Sequence, residues 1–130
     1  MHKIKEIKLS RWEGPTNNCG TFTVATFEQA DDQLRSWSWS APEKGQGYDK
    51  CGFTITFENG ETYEGRYDLN RGTIHSLQQH VQNFLLCMSG QKKPRHWTDE
   101  QYQTVLNRSP ELTERCKKFI AEYDLGFTKV

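Results

Sequence analysis

Four cysteines and four histidines are the residues of this 130-residue chain best able to build a reactive or metal-binding centre. Cys19, Cys51, Cys87 and Cys116 lie far apart, with no Cys-x-x-Cys pair of the kind that lets two thiolates share one zinc ion. His75 and His80 are five positions apart, about 140° around a helix, so they do not share a face as paired metal ligands do. Cys51 and Cys116 fall on faces expected to be buried, where cysteine packs as a small hydrophobe. No metal and no other cofactor is therefore expected. Nucleophilic catalysis fares no better, for there is no Gly-x-Ser-x-Gly elbow and no local cysteine signature. Gly45, Gly47 and Gly52 are too isolated to cradle a phosphate. The acids Glu58, Glu61, Glu64 and Asp68 map to the tip and wet side of a hairpin, where solvation accounts for them. An enzyme would need a site assembled across the fold, such as His80 or His96 beside a carboxylate in a deep pocket. The expectation is a non-enzyme.

Two stretches look suited to binding. In Ser36-Trp37-Ser38-Trp39-Ser40 the serines flank two indoles, as in a partner-binding anchor. Extended, the rings of Trp37 and Trp39 point the same way; helical, they diverge by about 160°. The alternative is that at least one of them belongs to the core. The second stretch is Lys92-Lys93-Pro94-Arg95-His96-Trp97, in which Lys92, Lys93 and Arg95 beside Trp97 combine cations with an aromatic as a strand-binding surface does. A solvated loop with a buried Trp97 explains it as well. Globally the chain carries 17 basic and 17 acidic side chains. It lacks the basic excess through which nucleic-acid binders neutralise phosphate, so any such contact has to be local.

The chain that positions these residues is the size of one domain, expected to span residues 1–130. Its apolar fraction is 34% and its mean hydropathy −0.89, so the core is thin and leans on aromatics: four Trp, five Tyr and seven Phe. The charged start Met1-His2-Lys3-Ile4-Lys5-Glu6-Ile7 is no signal peptide. No run approaches the roughly 20 apolar residues of a membrane span. A cytoplasmic protein with reduced cysteines and no membrane partner is expected.

The organising element is a β-hairpin over residues 51–69, and parity sets its register. A two-residue turn at Asn59-Gly60 would oppose Phe57 to Thr62 and set Glu58 against Glu61. A three-residue loop of Glu58, Asn59 and left-handed Gly60 instead sets Ile55 against Tyr63, Phe53 against Gly65 and Cys51 against Tyr67. Thr54, Thr56, Thr62, Glu64, Arg66 and Asp68 then share the other side, giving one buried and one wet face. Residues 3–12 read as a strand with a charged outer face, an edge protected by its lysines. Thr21–Ala25 is a second strand. Thr26 with Gln29 opens a helix carrying Phe27, Ala30 and Leu34 inward. Residues 14–18, 42–47 and 70–72 read as turns and loops. Ile74, Leu77, Val81, Phe84, Leu85 and Met88 make the stripe of an amphipathic helix stopped by Gly90, with Leu86 opposite, packed or exposed for a partner. Thr98 with Gln101 starts a short helix bearing Tyr102, Val105 and Leu106. Ser109-Pro110 starts another with Leu112, Cys116, Phe119, Ile120 and Tyr123 inward and Gly126 at its end. The fold expected is α+β: an antiparallel sheet built on the central hairpin, with about four helices packed mainly on one face.

Residues 48–69 with Asn59-Gly60-Glu61-Thr62-Tyr63-Glu64-Gly65-Arg66-Tyr67, then His80-Val81 with Phe84-Leu85, Pro94, Trp97-Thr98 and Tyr102, resemble a small domain among the large polyvalent-protein-associated domains of phages, plasmids and conjugative elements. The likeness runs over roughly residues 48–106 and brings no catalytic motif with it. The resemblance implies a mobile-element accessory protein working in the bacterial host cytoplasm. It implies a non-enzymatic counter-defence inhibitor, of anti-CRISPR or antirestriction type, that binds a host defence complex. Thr54, Thr56, Glu64 and Arg66, or Trp37 and Trp39, are the expected contacts. A nucleic-acid-binding accessory using Lys92, Lys93, Arg95 and Trp97 is the alternative.

Overall fold

Strands whose alternate residues are greasy pair into a sheet that is dry on one side only, and that side fixes everything packed on it. In a computed structural model the described residues are 1–12, 18–39, 50–68 and 76–127. Their elements are β1 (His2–Trp12), β2 (Asn18–Val24), α1 (Phe27–Trp39), β3 (Lys50–Phe57), β4 (Thr62–Asp68), α2 (Leu77–Met88), α3 (Asp99–Arg108), α4 (Pro110–Glu122) and β5 (Tyr123–Asp124). The expected turns within 14–17 and 42–47, the break at 70–72, Ile74, His75 and the side chains of Cys19 and Trp39 lie outside the described residues.

The sheet runs β2-β1-β3-β4 with every neighbour antiparallel, and β5 pairs in parallel with the start of β1. The architecture is α+β. The hairpin has the bulged register: Ile55 faces Tyr63, Phe53 faces Gly65 and Cys51 faces Tyr67. Gly60 takes φ 88°, the left-handed conformation the three-residue loop requires. The Phe57 amide donates to the Glu61 carbonyl at 2.9 Å and the Gly60 amide to the Phe57 carbonyl at 2.9 Å. Asn59 anchors the tip. Its Oδ1 accepts from the Glu61 amide and its Nδ2 donates to the Tyr123 hydroxyl, both at 3.1 Å.

One strand departs from expectation. β1 is not an edge: Ile7 pairs with both Val24 of β2 and Ile55 of β3, and Leu9 with both Phe22 and Phe53. Its lysines fill the wet side of a central strand. In a one-sided sheet that side is as polar in the middle as at the margin, so charge alternation alone does not distinguish the two positions.

The dry face carries Ile7, Leu9, Cys51, Phe53, Ile55, Phe57, Tyr63 and Tyr67, and onto it fold Ala30, Leu34, Trp37, Leu77, Val81, Leu85, Cys116 and Phe119 from the helices. The helices start and stop where local chemistry dictates. The Thr26 hydroxyl accepts from the Gln29 amide at 3.1 Å, while Gln29 Oε1 reaches back to the Ala25 amide at 2.8 Å. Ser76 caps α2, and Asp31 of α1 adds a second cap by accepting the Leu77 amide at 2.9 Å. Gly90 (φ 85°) ends α2 in a Schellman motif, Gln91 N–H to Leu86 O at 3.0 Å and Gly90 N–H to Cys87 O at 3.2 Å. α3 has the full Thr98/Gln101 capping box, and Pro110 occupies the first turn of α4.

Two apolar stripes are narrower than their sequence periodicity predicts. Phe84 is 41% exposed on α2 and Leu112 is 37% exposed on α4, although both were expected to face inward. Each lies at the flank of an arc whose centre (Val81 and Leu85, Cys116 and Phe119) already fills the dry face. Tyr123 is buried as expected, yet it has left the helix. It opens β5, pairing with His2 and resting its ring 4.4 Å from that of Phe57.

Candidate functional site: the open face of the sheet

All four hairpin residues expected to bind a partner lie on one side of the sheet, because even-numbered positions of β3 and β4 point away from the helices. The pairing extends that side across four strands. Thr23, Lys8, Thr54 and Glu64 form one row, and Thr21, Ser10, Gly52 and Arg66 the next. Glu6, Thr56 and Thr62 form a third. With strands about 4.8 Å apart, the rows span roughly 14 Å. Among the described residues no helix covers this side: the apolar helix residues belong to the cluster on the opposite face. Thr21, Thr23, Lys8, Glu64 and Arg66 are exposed, and Thr54 and Thr56 are half-exposed. Threonine suits a strand because its branched side chain packs on the pleat. It also offers a rigid hydroxyl that donates and accepts, so ordering it against a partner loses little entropy.

Lys8, Ser10, Thr21 and Thr23 were not among the expected contacts. Their alternation was visible in the sequence, but placing them beside Thr54 required the central position of β1.

The other expected contacts lie elsewhere. Trp37 sits on α1 and is only 6% exposed, edge-on to Phe22 with centroids 5.4 Å apart, so it is a core residue rather than a surface anchor. The stretch is helical through Trp39, the last residue of α1. Lys92, Lys93, Arg95 and Trp97 lie in the connector between α2 and α3, not on the strands of the open face. There Lys93 Nζ pairs with Asp99 Oδ1 at 2.7 Å, and this neighbour holds the Asp99 carboxyl below its usual range. Trp97 is half-buried against Tyr102, their centroids 6.2 Å apart. Lys92 and Arg95 remain exposed.

The ionisable groups toward the core are tuned by burial. Cys87 and Cys116 are pushed up by desolvation, which favours the unreactive thiol over the thiolate. The Tyr63 phenol is raised for the same reason. His80 meets two rings edge-on, Phe53 at 6.2 Å and Tyr67 at 5.6 Å, and His96 is exposed in the connector. Near the start of α1 a hollow of about 700 Å³ is lined by Lys5, Glu6, Thr23, Gln29 and Asp32 among others, with neither histidine nor thiol. Among the described residues no cluster of His, Cys, Asp and Glu has the makings of a metal site. No helix there is long and apolar enough to cross a membrane.

What these features define is an α+β domain with one helix-covered and one open sheet face. The chain belongs to the family of large polyvalent protein associated domain 25, whose match covers residues 18–96. That span differs from the likeness read over 48–106. It takes in β2 and α1 and stops before α3, and it omits β1, the strand lying between β2 and β3. No curated protein matches the chain, and no solved structure does either.

Proposed function

We propose that this chain is a mobile-element accessory protein that works by binding. It acts as a non-enzymatic counter-defence inhibitor of anti-CRISPR or antirestriction type, laying the open face of its sheet against a host defence complex in the bacterial cytoplasm. The observation that carries this reading is the four-strand face itself. Thr54, Thr56, Glu64 and Arg66 stand together with Lys8, Ser10, Thr21 and Thr23, and no described helix covers them. Family membership supports the mobile-element setting. Burial raises the thiols of Cys87 and Cys116, which disfavours these two side chains as nucleophiles.

Expression in a host with an active restriction or interference system, together with affinity capture of the chain, tests it. The expected result is reduced defence and a stoichiometric defence protein in the eluate, both lost on Thr56→Arg. Arginine at that position faces Glu6 and Thr62 across the strands and puts bulk in the middle of the face. Undiminished defence with no stoichiometric partner would sink the reading. Capture of nucleic acid instead, through binding that weakens steeply with salt, would move function to Lys92 and Arg95.

A further inference from the structure

Cys87 of α2 and Cys116 of α4 are free thiols that the fold brings to the same level of a helix pair. The two helices run antiparallel. Gln78, at the start of α2, donates from Nε2 to the Leu125 and Gly126 carbonyls just beyond α4, at 2.8 and 2.9 Å. Phe84, past the middle of α2, shares a cavity of about 410 Å³ with Leu112, Cys116 and Phe119. Ser89 and Gly90, at the end of α2, share another hollow with Pro110, Thr113 and Glu114 in the first turns of α4. Cys87 lies between these last two levels, within about half a turn of Cys116. It follows Phe84 by three positions and so shares the flank of α2 that borders α4. Burial raises the Cys116 thiol, Arg115 lowers it, and a charge on Cys87 raises it again, as only a near neighbour can. Packed helix axes lie about 8–10 Å apart with Cα atoms about 2.3 Å off each axis. Facing cysteines then come within the roughly 7 Å between Cα atoms that a disulfide can span.

We propose that Cys87 and Cys116 form a site of oxidative modification, closing under peroxide into a reversible disulfide that staples α2 to α4. Cys87 is half-buried whereas Cys116 is 1% exposed, so Cys87 meets the oxidant first. Its thiolate attacks one peroxide oxygen, the O–O bond breaks, hydroxide leaves and Cys87 becomes a sulfenic acid. The Cys116 thiolate then attacks that sulfur, the S–S bond forms and the S–O bond breaks, releasing a second hydroxide. The protons given up by the two thiols turn both hydroxides into water. The sum is two thiols and one hydrogen peroxide giving one disulfide and two waters. Burial holds both groups as thiols, so the reaction is slow and the pair responds to sustained rather than brief oxidant. The bond closes a loop holding the 92–97 connector and all of α3, which is already tied to α2 where the Tyr102 hydroxyl donates to the Cys87 carbonyl at 2.5 Å.

The test is prolonged treatment of the purified full chain with excess hydrogen peroxide, read by intact mass, non-reduced peptide mapping and thermal melts. The expected product is two hydrogens lighter, with the Cys87 and Cys116 peptides joined. Its Tm is expected to rise by roughly 5–15 °C, and a phosphine reductant to reverse both changes. Cys51→Ala, at a cysteine that packs on the sheet opposite Tyr67, is expected to keep the bond, and Cys87→Ser to lose it. Cys116→Ala keeps the buried site apolar, so it is expected to fold and to lose the bond as well. A map that joins any other pair, joins two copies of the chain, or finds sulfinic acids without a bond overturns the proposal. The readout is covalent, so it stands or falls separately from any effect on host defence.

Discussion

The two faces of this sheet come from the same strands and differ only by the parity of the residue. Phe53, Ile55 and Phe57 point under the helices; Thr54 and Thr56, one step along the chain, point into water. The dry face holds nearly all the cohesion of a molecule with few apolar residues, while the wet face holds almost none. The wet face can therefore be altered with the fold left alone, and substitutions measure how clean the separation is.

The largest effect is expected at Phe57, fully buried with its ring among those of Phe119 and Tyr123. Phe57→Ala should cost about 3–5 kcal/mol in urea denaturation. Next comes a pair of glycines on the two faces. A Cβ on Gly65 would sit 2.6 Å from Phe53 Cζ, whereas one on Gly52 meets nothing within 4 Å. Gly65→Ala should therefore cost about 1–3 kcal/mol, while Gly52→Ala should be neutral or stabilise by up to about 1 kcal/mol. Equal effects at the two would break the contrast.

A smaller effect lies at the α1–α2 junction. Burial raises the Asp31 carboxyl above its ordinary range, partly offset by the Leu77 amide it accepts. The folded chain thus holds this proton more tightly than the unfolded chain does. The group's favourable contribution is full below pH 3.8 and is lost as pH rises through the higher folded value. Asp31→Asn keeps an acceptor for Leu77 and should remove that dependence from a pH series of melts, whereas Asp31→Ala should cost about 0.5–2 kcal/mol through the lost cap. Smallest of all, Thr56→Arg should change stability by less than about 0.5 kcal/mol, measured alongside its loss of partner capture.

Much of the dry face was legible in the sequence because parity is a local signal. The register of β3 and β4, the left-handed Gly60, the Thr98/Gln101 box and the Gly90 stop each depend on residues a few positions apart. The misjudged features depend on distant ones. Whether β1 is marginal or central is decided by β3, forty residues on. Phe84 and Leu112 sit in acceptable helical arcs and are exposed only because the space ahead of them is already taken. The Ser-Trp-Ser-Trp stretch fits two geometries, and the helix that chose between them buried Trp37. Half of the candidate face, on β3 and β4, could be read from alternation; the half on β1 and β2 had to await the strand order.

The pairing of His2 and Lys3 with Tyr123 and Asp124 has a kinetic corollary. A ribosome makes β1 well before β5, so the ring of Tyr123 reaches Phe57 only after α4 has left the exit tunnel. Until that clasp closes, Phe57 lacks both the rings, of Phe119 and Tyr123, that cover it in the folded chain.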